Sequence, residues 1–131
     1  LDPACDLARS HGCVVAVSGP VDLVTDGESV IHVQGGSALL TRMTGGGCAL
    51  GAVVAAFLGA GRKEGLDDVS AVVAAHTVYS AAAERAEARS TGPGSFPPAF
   101  LDVLYALEMQ DLQNVSVSAT SATTAAEGGP A

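Results

Sequence analysis

Three consecutive glycines, Gly45-Gly46-Gly47, open straight onto Cys48-Ala49-Leu50-Gly51-Ala52-Val53-Val54-Ala55-Ala56-Phe57-Leu58, and no other junction constrains the chain as strongly. Glycine takes positive φ without a side-chain clash, so the turn can bend sharply and bring its backbone close to a ligand. The small apolar run behind it has the composition of a packed helix. Where such a turn meets a helix start, the first N–H groups lack partners and the positive end of the dipole points the same way, so an anion is favoured there. Cys48 adds a thiol at that end, and the same field favours its thiolate. A cysteine among alanines is equally at home as a small buried hydrophobe, so the junction alone leaves packing and chemistry both open. It is not a P-loop, which needs Lys followed by Ser or Thr where Cys48-Ala49 stands. It is not the dinucleotide fingerprint either, because the glycine spacing differs and no acidic residue closes a following strand.

The rest of the composition narrows what surrounds this junction. A chain of 131 residues, 48% hydrophobic, supports one domain with a real core. Aromatic residues are only 4%, so that core must be built from Ala, Val and Leu, which suits helices packed closely on a sheet, an α/β arrangement. A formal net charge of −8, with six Lys and Arg, argues against nucleic acid or an anionic membrane surface as partner. The apolar run from Cys48 to Leu58 falls short of the ~20 residues that span a bilayer. Cys5, Cys13 and Cys48 cannot all pair and match no zinc spacing, so free thiols in a reducing compartment are expected. The opening Leu1-Asp2-Pro3-Ala4-Cys5 has no basic and apolar leader pattern, which makes the cytoplasm the expected location.

Along the chain, Ala4 to His11 reads as the end of a helix closed by Gly12. Cys13 to Ser18 is continuously apolar and β-branched, the pattern of a strand buried on both faces of a parallel sheet. Val21 to Thr25 and Ser29 to Gln34 flank Asp26-Gly27 and predict an edge hairpin with a type I′ turn. Gly35 to Thr44 is a loop. The helix from Cys48 to Leu58 is expected to stop at Gly59 and Gly61. Asp67 or Asp68 can cap a long helix over Val69 to Arg89, whose Glu84, Arg85, Glu87 and Arg89 form a solvated stripe. Ser90 to Pro98 is a loop, and Ala99 to Glu108 a last helix with Phe100, Leu101, Leu104 and Leu107 facing inward. Asn114 to Ala131 is expected to be disordered from its Ser, Thr, Ala and Gly content. One buried strand and one hairpin are little sheet for three helices, which predicts that residues 1–112 are the C-terminal part of a larger α/β domain and 113–131 its tail.

Three blocks carry a resemblance. They are Val15-Ala16-Val17-Ser18-Gly19-Pro20-Val21-Asp22 with Val24-Thr25-Asp26-Gly27, then Leu40-Thr41-Arg42-Met43-Thr44-Gly45-Gly46-Gly47-Cys48-Ala49-Leu50-Gly51-Ala52, then Gly92-Pro93-Gly94-Ser95-Phe96 with Phe100-Leu101-Asp102. In this order and spacing the chain resembles the hydroxyethylthiazole kinase family. The resemblance implies a ribokinase-like three-layer α/β fold and a homotrimer with sites at subunit boundaries. It further implies ATP-dependent phosphorylation of 4-methyl-5-(2-hydroxyethyl)thiazole in thiamine salvage, with magnesium as cofactor. By the same carry-over, Gly45, Gly46, Gly47 and Cys48 form an anion hole for the transferring phosphoryl group. Cys48 takes the proton of the substrate hydroxyl, Gly45 belongs to the site of the thiazole alcohol, and Ser18 is the hydroxyl that meets ATP, where many relatives have threonine. Asp22 and Asp26 are expected to shape the hairpin, and His76 and Tyr79 to pack. No metal ligand is expected in this segment, since the resemblance leaves the acidic residues, an arginine on the ATP phosphates and a methionine on the thiazole to an upstream part. Other ribokinase-like enzymes share the glycine turn, namely hydroxymethylpyrimidine kinases and the dehydratase that repairs hydrated nicotinamide cofactors. Cys48 in place of their aspartate speaks against both. A non-catalytic remnant that keeps the packing is the remaining alternative.

Overall fold

The hairpin forms where two runs rich in β-branched residues flank Asp26-Gly27: strand β2 is Val21–Thr25 and strand β3 is Ser29–Gln34, paired antiparallel with Thr25 opposite Val30. The computed structural model describes residues 2–122, and the sheet it contains has four strands in the order β1-β2-β3-β4, all antiparallel, with β1 at Val15–Val17 and β4 at Ser116–Ser121. The turn is not type I′. That type needs positive φ at both central residues, and here Gly27 has φ +97° while Asp26 does not have a positive φ. Asp26 instead turns its carboxylate onto the chain ahead, accepting from the amides of Glu28 and Ser29 and from the Ser29 hydroxyl.

Four helices flank the sheet: α1 at Asp2–His11, α2 at Gly46–Lys63, α3 at Asp68–Ala88 and α4 at Phe96–Ala106. The parity of β2 places them. Thr25 Oγ1 meets Cys5 Sγ of α1 at 3.5 Å, whereas Asp22, three residues away and so on the opposite face, meets His76 of α3. The sheet therefore lies between α1 and α3, and α2 and α4 pack against α3, giving the three layers expected. The core is alanine-rich as the composition requires: Ala71, Ala75, Ala82, Ala83 and Ala86 of α3 are buried, and Phe96, Phe100 and Val103 of α4 fill the space beside them. Tyr79 stands edge-on to Phe100 with ring centroids 4.8 Å apart. Among the described residues no helix is long and apolar enough to cross a membrane.

Several elements differ from expectation. The strand predicted over Cys13–Ser18 is three residues long, antiparallel, and largely exposed, because β1 is an outer strand with β2 on one side and no described strand on the other. The hairpin is internal, because β4 pairs with β3 along six residues of the stretch expected to be disordered. Every residue of β4 is exposed, so backbone hydrogen bonds hold it without side-chain burial. Residues 123–131 of that expected tail lie outside the described residues. Helix α2 runs through Gly59 and Gly61 to Lys63, and Gly65 beyond its cap, with φ +78°, closes a Schellman motif: Leu66 N–H bonds Gly61 C=O at 2.8 Å and Gly65 N–H bonds Arg62 C=O. Gly61 is there for contact, since a Cβ at that position would sit 3.1 Å from Ala71 Cβ. Asp67 caps α3 through the Ser70 amide, as its sequence position suggests. Helix α4 starts at Phe96, with Pro97 and Pro98 in its first turn, where a missing N–H costs nothing. Leu101, expected to face inward, is 59% exposed, because Phe96, Phe100 and Val103 already define the buried stripe. Glu84 and Arg85 are not merely solvated: Glu84 accepts from the Gly36 amide, and Arg85 pairs with Asp111.

Candidate functional site

A cavity of about 530 Å³ opens between the turn after β1, the loop after β3, the first turn of α2 and the middle of α3. Ser18, Gly19 and Asp22 line one wall, Gly35, Gly36 and Ser37 a second, and Gly46, Gly47 and Leu50 a third, with Tyr79 and Ser80 at the back. Its size is that of a small-ligand site, and several polar groups converge on it. A second cavity, about 410 Å³ between Val53, Phe57, Leu104, Leu107 and Met109, is walled almost entirely by apolar side chains.

The walls are held by one helix. Side chains at positions 76, 79, 80 and 84 of α3 fall on one face at helical spacing. His76 Nδ1 donates to Asp22 Oδ2 at 2.8 Å, an assignment fixed by the carboxylate, which can only accept. Asp22 Oδ1 accepts from the Gly19 amide at 2.9 Å, which ties down the turn that carries Ser18. Tyr79 donates to the Gly46 carbonyl oxygen at 2.6 Å, and burial pushes its phenol up from the ordinary range, so it stays a donor. Ser80 lies against Gly36, and Glu84 Oε1 accepts from the Gly36 amide at 3.0 Å.

At the third wall, Gly45 is the N-cap of α2 with φ +85°, the one member of the glycine run in the left-handed region. Gly46 is helical and tightly enclosed, a Cβ there meeting Leu40 O at 3.3 Å, while a Cβ on Gly47 would meet nothing within 4 Å. The Gly46 amide bonds Met43 C=O, and the Ala49 amide makes the first regular helical bond, to Gly45 C=O. Between them the amides of Gly47 and Cys48 have no acceptor among the described residues, so two donors of the α2 dipole end stay open.

Of the residues singled out from sequence, Ser18, Gly46 and Gly47 line the cavity together. Gly45 and Cys48 do not line it: Gly45 lies just outside at the helix cap, and Cys48, next to Gly47, has an exposed side chain. His76 and Tyr79, read from sequence as packing residues, are buried and also hydrogen-bonded to cavity walls. No spacing could have linked His76 to Asp22, which lies 54 residues away. Asp22 is the cavity's one carboxylate, and both its oxygens are taken. Among the described residues, no group of three or more His, Cys, Asp or Glu side chains could hold a metal ion.

Comparison with known proteins bears on what this cavity serves. The sequence model of the hydroxyethylthiazole kinase family matches residues 2–110. The hydroxyethylthiazole kinase of Tolumonas auensis is 51% identical over 108 residues, which are 82% of this chain and 40% of that protein. That of Burkholderia pseudomallei strain K96243 is 54% identical over 103 residues, 79% of this chain and 36% of the relative. The chain thus spans about two fifths of the length of the curated relatives it matches. Among solved structures, the hydroxyethylthiazole kinase protein from Pyrococcus horikoshii OT3 superposes with a TM-score of 0.82 at 31% identity, covering 91% of this chain and 45% of the other. The α/β, ribokinase-like reading of the fold stands on that superposition.

Proposed function

The chain belongs to the hydroxyethylthiazole kinase family, and from that premise we propose that it forms part of an enzyme that phosphorylates the hydroxyl of 4-methyl-5-(2-hydroxyethyl)thiazole with ATP. The observation that carries this reading is the pair of open amides on Gly47 and Cys48 at the head of α2, beside a cavity that also takes in Ser18. Phosphoryl transfer asks for in-line placement and stabilisation of charge more than for covalent chemistry. Two N–H groups at a helix N-terminus supply that stabilisation where the equatorial oxygens gather charge.

In the proposed reaction the substrate oxygen attacks the γ-phosphorus, the bond from the γ-phosphorus to the β,γ-bridging oxygen breaks, and ADP leaves with that oxygen. The hydroxyl proton passes to Cys48 Sγ, on the residue next to cavity-lining Gly47. Ser18 Oγ meets the nucleotide, and Gly45 borders the alcohol. The cavity lining holds no Lys or Arg, so the anion is met by backbone donors on this side. We also propose magnesium as the cofactor, which when bound would offset the charge of the ATP phosphates. We further propose that the enzyme works as a homotrimer in the cytoplasm.

The test is ADP release by the whole enzyme that contains this chain, with hydroxyethylthiazole, and with hydroxymethylpyrimidine as control. Thiazole-dependent turnover is expected. Turnover with the pyrimidine alone would transfer the chain to the sister activity, and silence with both would leave a fold kept without its chemistry.

A further inference from the structure

We propose that His76 and Asp22 are positioning residues for Ser18, fixing the turn that presents its hydroxyl to the cavity. The kinase reading enters only in naming ATP as what Ser18 meets. Ser18, Gly19 and Pro20 are all exposed, so burial does not hold this turn in place. What holds it is the Gly19 amide on Asp22 Oδ1, 2.9 Å away. Asp22 is in turn held by His76, whose ring is 2% exposed and donates to Oδ2 at 2.8 Å. The relay runs from a 21-residue helix with ten buried residues to an exposed loop.

A merely space-filling role does not account for His76. An apolar side chain would fill the same volume without the cost of burying a polar ring. The polar choice has a purpose if Asp22 must be kept from turning about its own χ angles, because a carboxylate with one oxygen free would let Gly19 go. Once both oxygens are engaged, the carboxylate plane is set from two directions, and the Gly19 amide with it. The hydroxyl one residue earlier inherits that placement. His76 touches neither nucleotide nor alcohol in this scheme; it acts through Asp22.

Two measurements test the proposal. The first is hydrogen exchange at the Gly19 amide, followed by NMR on this chain. Asp22→Ala and His76→Phe are each expected to speed that exchange about tenfold, the size of one net hydrogen bond. His76→Asn, which puts a donor near the place of Nδ1, is expected to return it to within about threefold of the parent. The second is steady-state kinetics on the active enzyme, where His76→Phe should raise the KM for ATP about fivefold to tenfold with kcat altered less, and His76→Asn should recover it. Gly19 exchange unchanged in Asp22→Ala or in His76→Phe would overturn the proposal. So would a lowered Tm in His76→Phe with the KM for ATP unmoved. Should His76→Phe fail to fold, Asp22→Ala, at the cavity rim, carries both readouts. If the unsubstituted enzyme turns over no thiazole, the kinase reading falls, while Gly19 exchange still decides the positioning role.

Discussion

Tyr79 and Gly46, thirty-three residues apart, are joined by a 2.6 Å hydrogen bond in which the phenol donates to the glycine carbonyl oxygen. The bond ties the middle of α3 to the first turn of α2, the same turn whose next two amides are open. It sits under the aromatic pair with Phe100, so the donor is fixed by packing on one side and by its acceptor on the other. The glycine run at the head of α2 is therefore not a loose loop.

Alkaline titration should reveal this bond. In a Tyr105→Phe background, the remaining phenol is expected to ionise above the ordinary value of about 10, because burial opposes its charged form. A folded value raised above the unfolded one means stability that is complete below about pH 10 and lost as pH rises through the folded value. Denaturant midpoints should fall over that alkaline range and fall less in Tyr79→Phe, with phenolate absorbance as the direct readout. A normal titration curve would show that the hydroxyl is solvated.

Cys48→Ser separates chemistry from fold at the other end of the same turn. The thiol is exposed, so the change in stability should stay within about 0.5 kcal/mol. Turnover with hydroxyethylthiazole should drop by a factor on the order of 10² to 10⁴, the usual worth of a positioned proton acceptor. Undiminished turnover would remove Cys48 from the mechanism.

The two glycines of α2 that look alike in sequence should respond in opposite senses. A side chain at Gly59 meets nothing, so Gly59→Ala should stabilise by about 0.5–1 kcal/mol by removing backbone freedom from the unfolded chain. Gly61 faces Ala71 across the helix contact, and Gly61→Val should destabilise by about 1–3 kcal/mol through overpacking. Thermal melts of the two variants beside the parent would show whether α2 and α3 meet where described.

Asp26 makes the hairpin sensitive to acid. Its carboxyl lies below the ordinary value, chiefly through the Ser29 amide, with burial opposing and the Glu28 amide and the Ser29 hydroxyl adding to the fall. A depressed folded value gives stability that is present above the unfolded value near 3.9 and lost as pH falls through the folded one. Asp26→Ala is expected to cost about 1 kcal/mol at neutral pH and progressively less in acid below pH 4. Urea midpoints of the pair across that range check it; a constant difference would place the effect elsewhere than in the charge.

How much of this was legible depended on how local each cause is. The strands of the hairpin and the cap of α3 were readable because Asp26-Gly27 and Asp67 act within three or four residues of themselves. Gly59 and Gly61 misled because low helix propensity and close helix packing both select glycine, and only the partner helix tells them apart. Strand β4 was hidden because Ser116–Ser121 pairs through its backbone and buries no side chain, leaving no apolar alternation to read. The glycine run with Cys48, and Ser18 at the end of a strand, stood out as chemistry-bearing residue types in suggestive places. The side chains that hold the cavity did not, since His76 and Tyr79 carry the composition of a packed helix, and their partners come from β2 and α2.

Helix α3 gives these long-range bonds a common origin. Glycine-rich turns ordinarily belong to the part of a protein that opens first, well before the core gives way. Here Gly36 and the head of α2 at Gly46 are bonded directly to the same buried rod and Gly19 is bonded to it through Asp22, so none can drift without stretching a bond. Opening of the pocket is therefore expected to accompany melting of the core. Among the described helices α3 buries the most residues, and a warmed sample should lose pocket and core together.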